Sequence, residues 1–346
     1  MGVITPAATH NAINGAVLPW QQSVWADLIK RHRHNGLPHA LMLTGPKGIG
    51  KHDLALHIAR WLLCQNPSDD ACGHCHSCQL WAAGSHPDFQ IGQPEEDSRQ
   101  IRIDTVRHIN EFIAQTPQIS RCQVVIIRPV EVMNTNAANA LLKTLEEPPG
   151  ESFLLLETER FGSVLPTIRS RCQRLALAAP KAELALQWLT ATGVQTAIAE
   201  HALRMNNNAP LAARDWLTSA VGDAQQRWLE LLLQWSKGSA PLQTVADGWS
   251  KFELGDIITW FYGLTCDCMK AMMQVPHEHL LYANAITELS SYAMTDKLKL
   301  IALQDKLRLT NGQLLSGASH HNKMLLVESL LLDWQALLIQ RSGSSA

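Results

Sequence analysis

Four cysteines, Cys64, Cys72, Cys75 and Cys78, stand close together at the spacing C-x₇-C-x₂-C-x₂-C. A C-x₂-C turn aims two thiolates at one ion, and Gly73 supplies the backbone freedom that such a turn needs. Four soft sulfur ligands with no open position describe a structural Zn²⁺ site. His74 and His76 lie inside the cluster as competing nitrogen donors, but the four sulfurs fill a tetrahedron without them. From 64 to 78 there is no Lys or Arg, while Asp69 and Asp70 are both present. That balance favours a module that caps a helix over a nucleic-acid-binding ribbon. Cys266 and Cys268 are two apart on a helical pattern, point in different directions and read as buried residues.

The second constellation is Gly45-Pro46-Lys47-Gly48-Ile49-Gly50-Lys51-His52, which follows an apolar run and opens a helical pattern. Gly45, Gly48 and Gly50 let backbone N–H groups close around phosphate oxygens, and Lys51 would reach the outer phosphates. His52 stands where such loops carry a Ser or Thr hydroxyl for Mg²⁺, and an imidazole nitrogen does not suit that hard cation. The other Mg²⁺ ligand and the water-polarising acid are expected just after the strand at 124 to 127. Arg128 and Pro129 stand there instead. A positioned acid or base is worth roughly 10² to 10⁴ in rate, so losing both metal oxygens and the base predicts negligible hydrolysis in cis. Mg²⁺ is not expected; ATP binding at Lys51 without turnover is left open.

These groups need a scaffold. From 39 to about 178 the runs 39–44, 88–92, 123–128, 152–158 and 174–177 alternate with helical spacings. The helical spacings are Leu54/Ile58/Trp61/Leu62, Val106/Ile109/Ile113 and Ala137/Leu141/Leu145. This βαβ alternation predicts an α/β P-loop module, a parallel sheet with helices on both faces. Pro148-Pro149 should end the third of these helices. Past Pro180 the strand signals stop, and a small helical lid interrupted at 206–210 is expected. Long amphipathic segments follow around 223–236, 253–274, 278–293, 297–309 and 321–340, an all-α C-terminal domain. The expected division is 1–178, with a zinc module at 64–78, then 179–220 and 221–346. The ending RSGSSA reads as a frayed tail. At 346 residues, with 17% charged and 46% hydrophobic residues, two or three folded domains are expected. A net charge of −2 gives no general attraction to phosphate backbones, so any DNA contact must be local or shared. The segment 1–18 holds no Lys or Arg, and no apolar run is long enough to span a bilayer. A cytoplasmic protein without membrane contact is therefore expected. In that reducing compartment eight cysteines argue against a disulfide framework.

The segment Asn139-Ala140-Leu141-Leu142-Lys143-Thr144-Leu145-Glu146-Glu147-Pro148-Pro149, the tripeptide Ser170-Arg171-Cys172, the phosphate loop and the cysteine cluster together resemble the AAA+ subunits of bacterial clamp loaders. The resemblance covers roughly 18 to 220 and is specific as a set; beyond 220 it rests on length and helical character. It implies a non-hydrolysing subunit of the DNA polymerase III assembly, in hetero-oligomeric contact with gamma or tau ATPase subunits, a delta subunit, the sliding clamp and, through the complex, primed DNA. It implies that Arg171 projects toward the γ-phosphate held by a neighbour, acting in trans; an ordinary helix-end cation is the competing reading. Thr158 matches the sensor position, and Asn208-Ala209-Pro210-Leu211 stands where active relatives carry a second sensor arginine. Arg99, Arg102 and Arg107 match a region that tracks DNA phosphates, with a solvated helix face as the alternative. The C-terminal helices would form a collar joining subunits, with Trp228, Trp235 and Trp260 as packing residues. An autonomous AAA+ ATPase and a zinc-dependent DNA-binding regulator are the rival functions.

Overall fold

The computed structural model describes residues 3–4, 17–95, 98, 100–289, 292–293, 296–316 and 322–340; Arg99 and the 341–346 tail lie outside them. The chain divides into two compact units, Met1–Arg214 and Asp215–Ala346.

The first unit is built on a six-stranded sheet. Its strands are β1 (Val3–Ile4), β2 (Ala40–Thr44), β3 (Phe89–Gly92), β4 (Gln123–Ile127), β5 (Ser152–Thr158) and β6 (Gln173–Ala176), in the order β1-β3-β4-β5-β2-β6. All neighbours are parallel except β1, which pairs antiparallel with β3. The five expected strands are therefore present in one parallel sheet, with β1 added at its edge. Side chains of a strand alternate between faces. Accordingly Leu41, Leu43, Val124, Ile126 and Leu155 pack into one apolar cluster, and Ala40, Met42, Val125, Ile127, Leu154 and Leu156 into another. Helices α1 (Gln22–Asn35), α2 (Lys51–Leu63) and α3 (His76–Ala82) cover the first face; α4 (Ile103–Ile113) and α5 (Thr135–Glu146) cover the second.

Helices α2 and α5 show local causes. Gly50, at the N-cap of α2, has φ 81° and ψ 32°, a left-handed conformation that glycine adopts without a Cβ clash. Asp53 in the first turn of α2 complements the positive end of the helix dipole. Asn134 caps α5, its side chain accepting from Ala137 N–H at 2.8 Å, which satisfies a donor the helix leaves free. Helix α5 ends at Glu146, before Pro148. After the short α6 (Pro166–Arg169) and β6 come α7 (Ala182–Thr190), α8 (Thr196–Met205) and α9 (Pro210–Thr218), helices where a lid was expected.

The second unit consists of α10 (Ala220–Ser236), α11 (Leu242–Ser250), α12 (Leu254–Met272), α13 (Ala283–Leu289), α14 (Lys297–Ser316) and α15 (Lys323–Gln335), with a small antiparallel pair β7 (Tyr292–Ala293) and β8 (Ile339–Gln340). It is mostly helical, as expected, with one helix added to the expected segments and one of them broken. Residues 242–250, unassigned in the sequence reading, form α11, with Val245, Ala246 and Trp249 buried on one face. The helix expected over 278–293 is broken: a 3₁₀ turn follows Pro276, and α13 starts only at Ala283. Trp228, Trp235 and Trp260 are all buried, and Trp260 meets the rings of Trp228 and Trp249 edge-on at 5.6 and 5.3 Å. These tryptophans are core, each contributing on the order of 1.5–3 kcal/mol or more by burial. Cys268 is buried as expected, whereas Cys266 is half-buried and accepts from Gln304 Nε2 at 3.8 Å. Asp267, fully buried, is satisfied by Lys270 Nζ at 2.9 Å and by Tyr282 N–H at 2.8 Å. Among the described residues no helix is long and apolar enough to cross a membrane.

Candidate functional site

Strand β2 delivers the phosphate loop to the end of the sheet, and α2 starts from it, as the sequence pattern requires. The loop is gripped from several sides. Trp20 Nε1 donates to Ile49 O at 2.9 Å, and Gln21 Nε2 donates to Ile49 O at 3.0 Å and Gly50 O at 2.7 Å. From α9, Leu211 N–H donates to Gly48 O at 3.0 Å. Gly48 has φ +77°, and a Cβ there would stand 2.3 Å from Ala212 Cβ. Only glycine permits this contact with α9. Asn208-Ala209-Pro210-Leu211 thus lies at the start of the helix that seals the loop.

Lys51 is buried and turned back onto its own loop. Its Nζ donates to Pro46 O at 2.7 Å and lies 3.9 Å from Glu159. Burial lowers its pKa from the ordinary 10.5, with Arg128 adding to the fall and Glu159, Glu157 and Glu131 opposing it; taking a charge out of water disfavours its charged form. Beside the loop, His52 Nδ1 meets Glu157 Oε1 at 2.7 Å, and Arg128 Nε lies 3.8 Å from Glu157 Oε2. Glu157 is 6% exposed, a buried carboxylate that hydrogen-bonds the His52 ring and lies beside the Arg128 guanidinium. Thr158, at the end of β5, uses its hydroxyl locally to accept from Arg160 N–H at 3.1 Å, and its carbonyl accepts from Gly45 N–H at 3.3 Å.

The four cysteines converge at the end of α2. The sulfurs of Cys64, Cys72, Cys75 and Cys78 lie within 4.8 Å of one another, with Cys64–Cys75 at 3.9 Å and Cys72–Cys78 at 4.0 Å. Tetrahedral Zn–S bonds of about 2.3 Å place sulfurs about 3.8 Å apart, so the set fits that ion. Backbone N–H groups point at the sulfurs: Cys72 N to Cys64 at 3.2 Å, Cys75 N to Cys72 and Cys78 N to Cys75 at 3.4 Å each. Burial works against ionisation of Cys75, yet the amide donors from Cys78 and Gln65 help bring its thiol down to about 6, toward the thiolate form that binds metal. His74 is exposed and turned to Cys72 O, and neither it nor His76 belongs to the cluster. The cluster could therefore hold a metal ion such as zinc.

Arg171 follows α6. Its Nε donates to Glu146 Oε1 at 2.7 Å, its second terminal nitrogen pairs with the same oxygen, and its first donates to Thr167 O at 2.9 Å. The contact with a helix-end carbonyl anticipated in the competing reading is thus present, together with an ion pair to the end of α5.

Family comparisons cover most of the chain. Residues 20–181 match the family described as DNA polymerase III, delta subunit, and residues 223–336 match DNA polymerase III, delta subunit, C terminal. DNA polymerase III subunit delta' of Pseudomonas aeruginosa is 37% identical over 326 residues, 93% of this chain and 98% of that protein. The protein of the same name from Yersinia pestis is 31% identical, over 92% of this chain and 96% of its own length. That of Haemophilus influenzae is 31% identical over 75% of this chain and 79% of its own. The chain belongs to the DNA polymerase III delta' family. Its fold, a parallel sheet flanked by helices with a cysteine cluster and a mostly helical C-terminal part, has the architecture expected from the sequence.

The structure also identifies residues of this delta' chain that the sequence reading overlooked. Glu157 sits inside the apolar run of β5, and a charge in such a run was the available signal. Glu146 and Glu131 gave none, because their partners are distant in sequence. Glu131, 2% exposed, accepts from Glu159 N–H at 3.1 Å and lies 3.9 Å from Arg160. The cations expected on DNA are separately paired: Arg102 lies 3.7 Å from Glu95, and Arg107 3.1 Å from Asp104, both arginines well exposed.

A Ser–His–Asp grouping near the cysteine cluster invites a catalytic reading, and the hydrogen bonds exclude it. Buried His86 accepts at Nδ1 from Asp88 N–H at 3.1 Å, so the neutral ring carries its proton on Nε2. Nε2 then donates to Ser77 Oγ at 2.8 Å, while Ser77 and Ser120 both donate to Leu63 O at 2.7 Å. No base faces either hydroxyl. Asp88 instead accepts three backbone N–H groups, from Gln118, Ile119 and Ser120, at 2.6 to 2.8 Å. The group ties α3 to the sheet, and burial pushes His86 down to about 4, because the imidazolium would lose its hydration there.

Proposed function

We propose that this chain is a non-hydrolysing subunit of the DNA polymerase III clamp loader, helping to place the sliding clamp on primed DNA. The observation that carries the reading is the Glu157–His52–Arg128 corner, where the buried carboxylate beside the loop is already engaged by an imidazole and a guanidinium. Lys51 held by Pro46 O and α9 seated on Gly48 support the same reading, since both keep the loop engaged with its own chain. Gly45, Gly48, Gly50 and Lys51 are a degenerate phosphate loop in this account, and Arg171 does the chemistry in trans. A guanidinium is always charged and forks to two phosphate oxygens, so it stabilises charge developing on a nucleotide bound by a neighbouring gamma or tau subunit.

Zinc at Cys64, Cys72, Cys75 and Cys78 is structural in this proposal, fixing α3 to α2. The chain acts as three parts, 1–178, 179–220 and 221–346, the last joining gamma or tau and delta subunits as a collar. Leu298 on α14 and Leu325 on α15 are 79% and 63% exposed, and exposed apolar side chains of this kind suit such a surface. Arg102 and Arg107 offer exposed cations for DNA phosphates within the assembly. The setting is cytoplasmic.

The test is phosphate release by the purified chain with Mg²⁺ and ATP, beside a hydrolysing clamp-loader subunit as control. No turnover above buffer is expected. Magnesium-dependent turnover that survives further purification and disappears with Lys51→Ala would overturn the proposal.

A further inference from the structure

Glu146 is the last residue of α5, where the negative end of the helix dipole disfavours a carboxylate. A residue that works against its own helix needs another reason to be there. The ion pair with Arg171 is exposed, Glu146 by 48% and Arg171 by 33%, and such pairs contribute little stability. What the pair does is geometric. One oxygen, Glu146 Oε1, takes both Nε and a terminal nitrogen of Arg171, while Thr167 O takes the other terminal nitrogen at 2.9 Å. Acceptors from two different helices thus hold the guanidinium, Glu146 on the edge made by Nε and the second terminal nitrogen and Thr167 on the first terminal nitrogen. Each terminal nitrogen carries two hydrogens, and the only further acceptor is Ser170 Oγ at 3.4 Å among the described residues. The second terminal nitrogen keeps one hydrogen and the first is shared only with the long Ser170 Oγ contact, so the end of the fork stays open to a phosphate.

We propose that Glu146 is a positioning residue for Arg171, which holds the guanidinium in the orientation that presents its open end to an anionic phosphate on a neighbouring subunit. The proposal rests on the reading of Arg171 as a trans-acting group. Fixing that plane in advance removes the rotamer freedom that a long arginine would otherwise lose on engaging its target. Because only one carboxylate oxygen is used, the Oε1 of a glutamine can replace it.

The experiment uses the assembled complex in which only the ATPase subunit beside this chain keeps its Walker B acids, so that one site is read. Steady-state kcat and KM for ATP are measured with the wild-type chain, Glu146→Ala, Glu146→Gln, Arg171→Ala and the Glu146→Ala/Arg171→Ala double variant. Co-elution and melting temperature check assembly and folding. We expect Glu146→Ala to lower kcat about 10-fold with KM little changed, because Thr167 O still holds one edge of the fork. Glu146→Gln should restore most of the rate, and the double variant should match Arg171→Ala alone. A Glu146→Ala rate equal to or above wild type, a glutamine that fails to rescue, or independent losses in the double variant would overturn the positioning role. If Arg171→Ala itself leaves kcat unchanged, the trans-acting reading fails instead, and that outcome is separable because it does not depend on position 146.

Discussion

If the corner near the phosphate loop is a closed charge network, neutralising Glu157 must cost stability and nucleotide must not repay it. Glu157 is 6% exposed and bonded to His52, with Arg128 at 3.8 Å. Removing one member of a buried pair costs roughly 3–5 kcal/mol. Arg128 is 40% exposed and can be rehydrated. That screening brings the expected loss for Glu157→Leu to about 2–3 kcal/mol. Glu157→Gln keeps an acceptor for His52 and loses only the charge, so its cost should be about 1 kcal/mol. For a unit of this size, the Leu variant corresponds to a melting temperature roughly 4–12 °C lower. The assay is urea and thermal unfolding followed by circular dichroism, each with and without Mg·ATP. The reasoning is refuted if Glu157→Leu unfolds with wild type, or if Mg·ATP stabilises the wild type and that stabilisation vanishes in Glu157→Gln. The latter pattern would make Glu157 part of a working metal site.

Acid stability should expose His86. Its folded pKa, about 4 against the ordinary 6.5, means that the unfolded chain binds more protons between those values. Its contribution is therefore complete above the unfolded pKa and falls away as pH drops through the folded one, by up to about 3 kcal/mol. Unfolding midpoints of His86→Asn should lack that part of the slope; a slope equal to wild type would contradict the assignment. For the cysteine cluster, elemental analysis should find zinc in the wild-type chain and none retained by Cys75→Ala, whose α3 should lose its order. Full zinc retention by that variant would remove Cys75 from the ligand set.

The parallel sheet was legible because alternation of apolar runs and helical spacings is a local signal. The run 152–158 became β5 over the same residues, and Leu54, Ile58 and Trp61 are buried on the core side of α2. The cysteine cluster was legible for the same reason, since its four sulfurs come from the single stretch 64–78. What escaped was set by tertiary pairing. His52 and Glu157 are 105 residues apart, and Arg171 and Glu146 are 25 apart, so no spacing rule joins them. The contact of Gly48 with Ala212 depends on how α9 returns to the loop, which local pattern does not encode. In the second unit, α11 falls within the stretch expected to be all helical, but no separate segment was placed on Leu242, Val245, Ala246 and Trp249, because it is short and begins beside Pro241. Over 278–293 the helix begins late, because a 3₁₀ turn occupies His277–His279 and the Tyr282 N–H is taken by the distant Asp267 carboxylate just before α13 starts at Ala283.

The account stands on chemistry completed in trans, and the most direct test is Arg171→Ala in an assembly where only the adjacent ATPase site is competent. An arginine supplied across an interface to phosphoryl transfer is worth about 10³ or more in rate. The account predicts that kcat at that site falls by roughly this factor while the complex still assembles and the neighbour still binds ATP. A kcat within about twofold of wild type, a difference of only ~0.4 kcal/mol in the barrier, would contradict it.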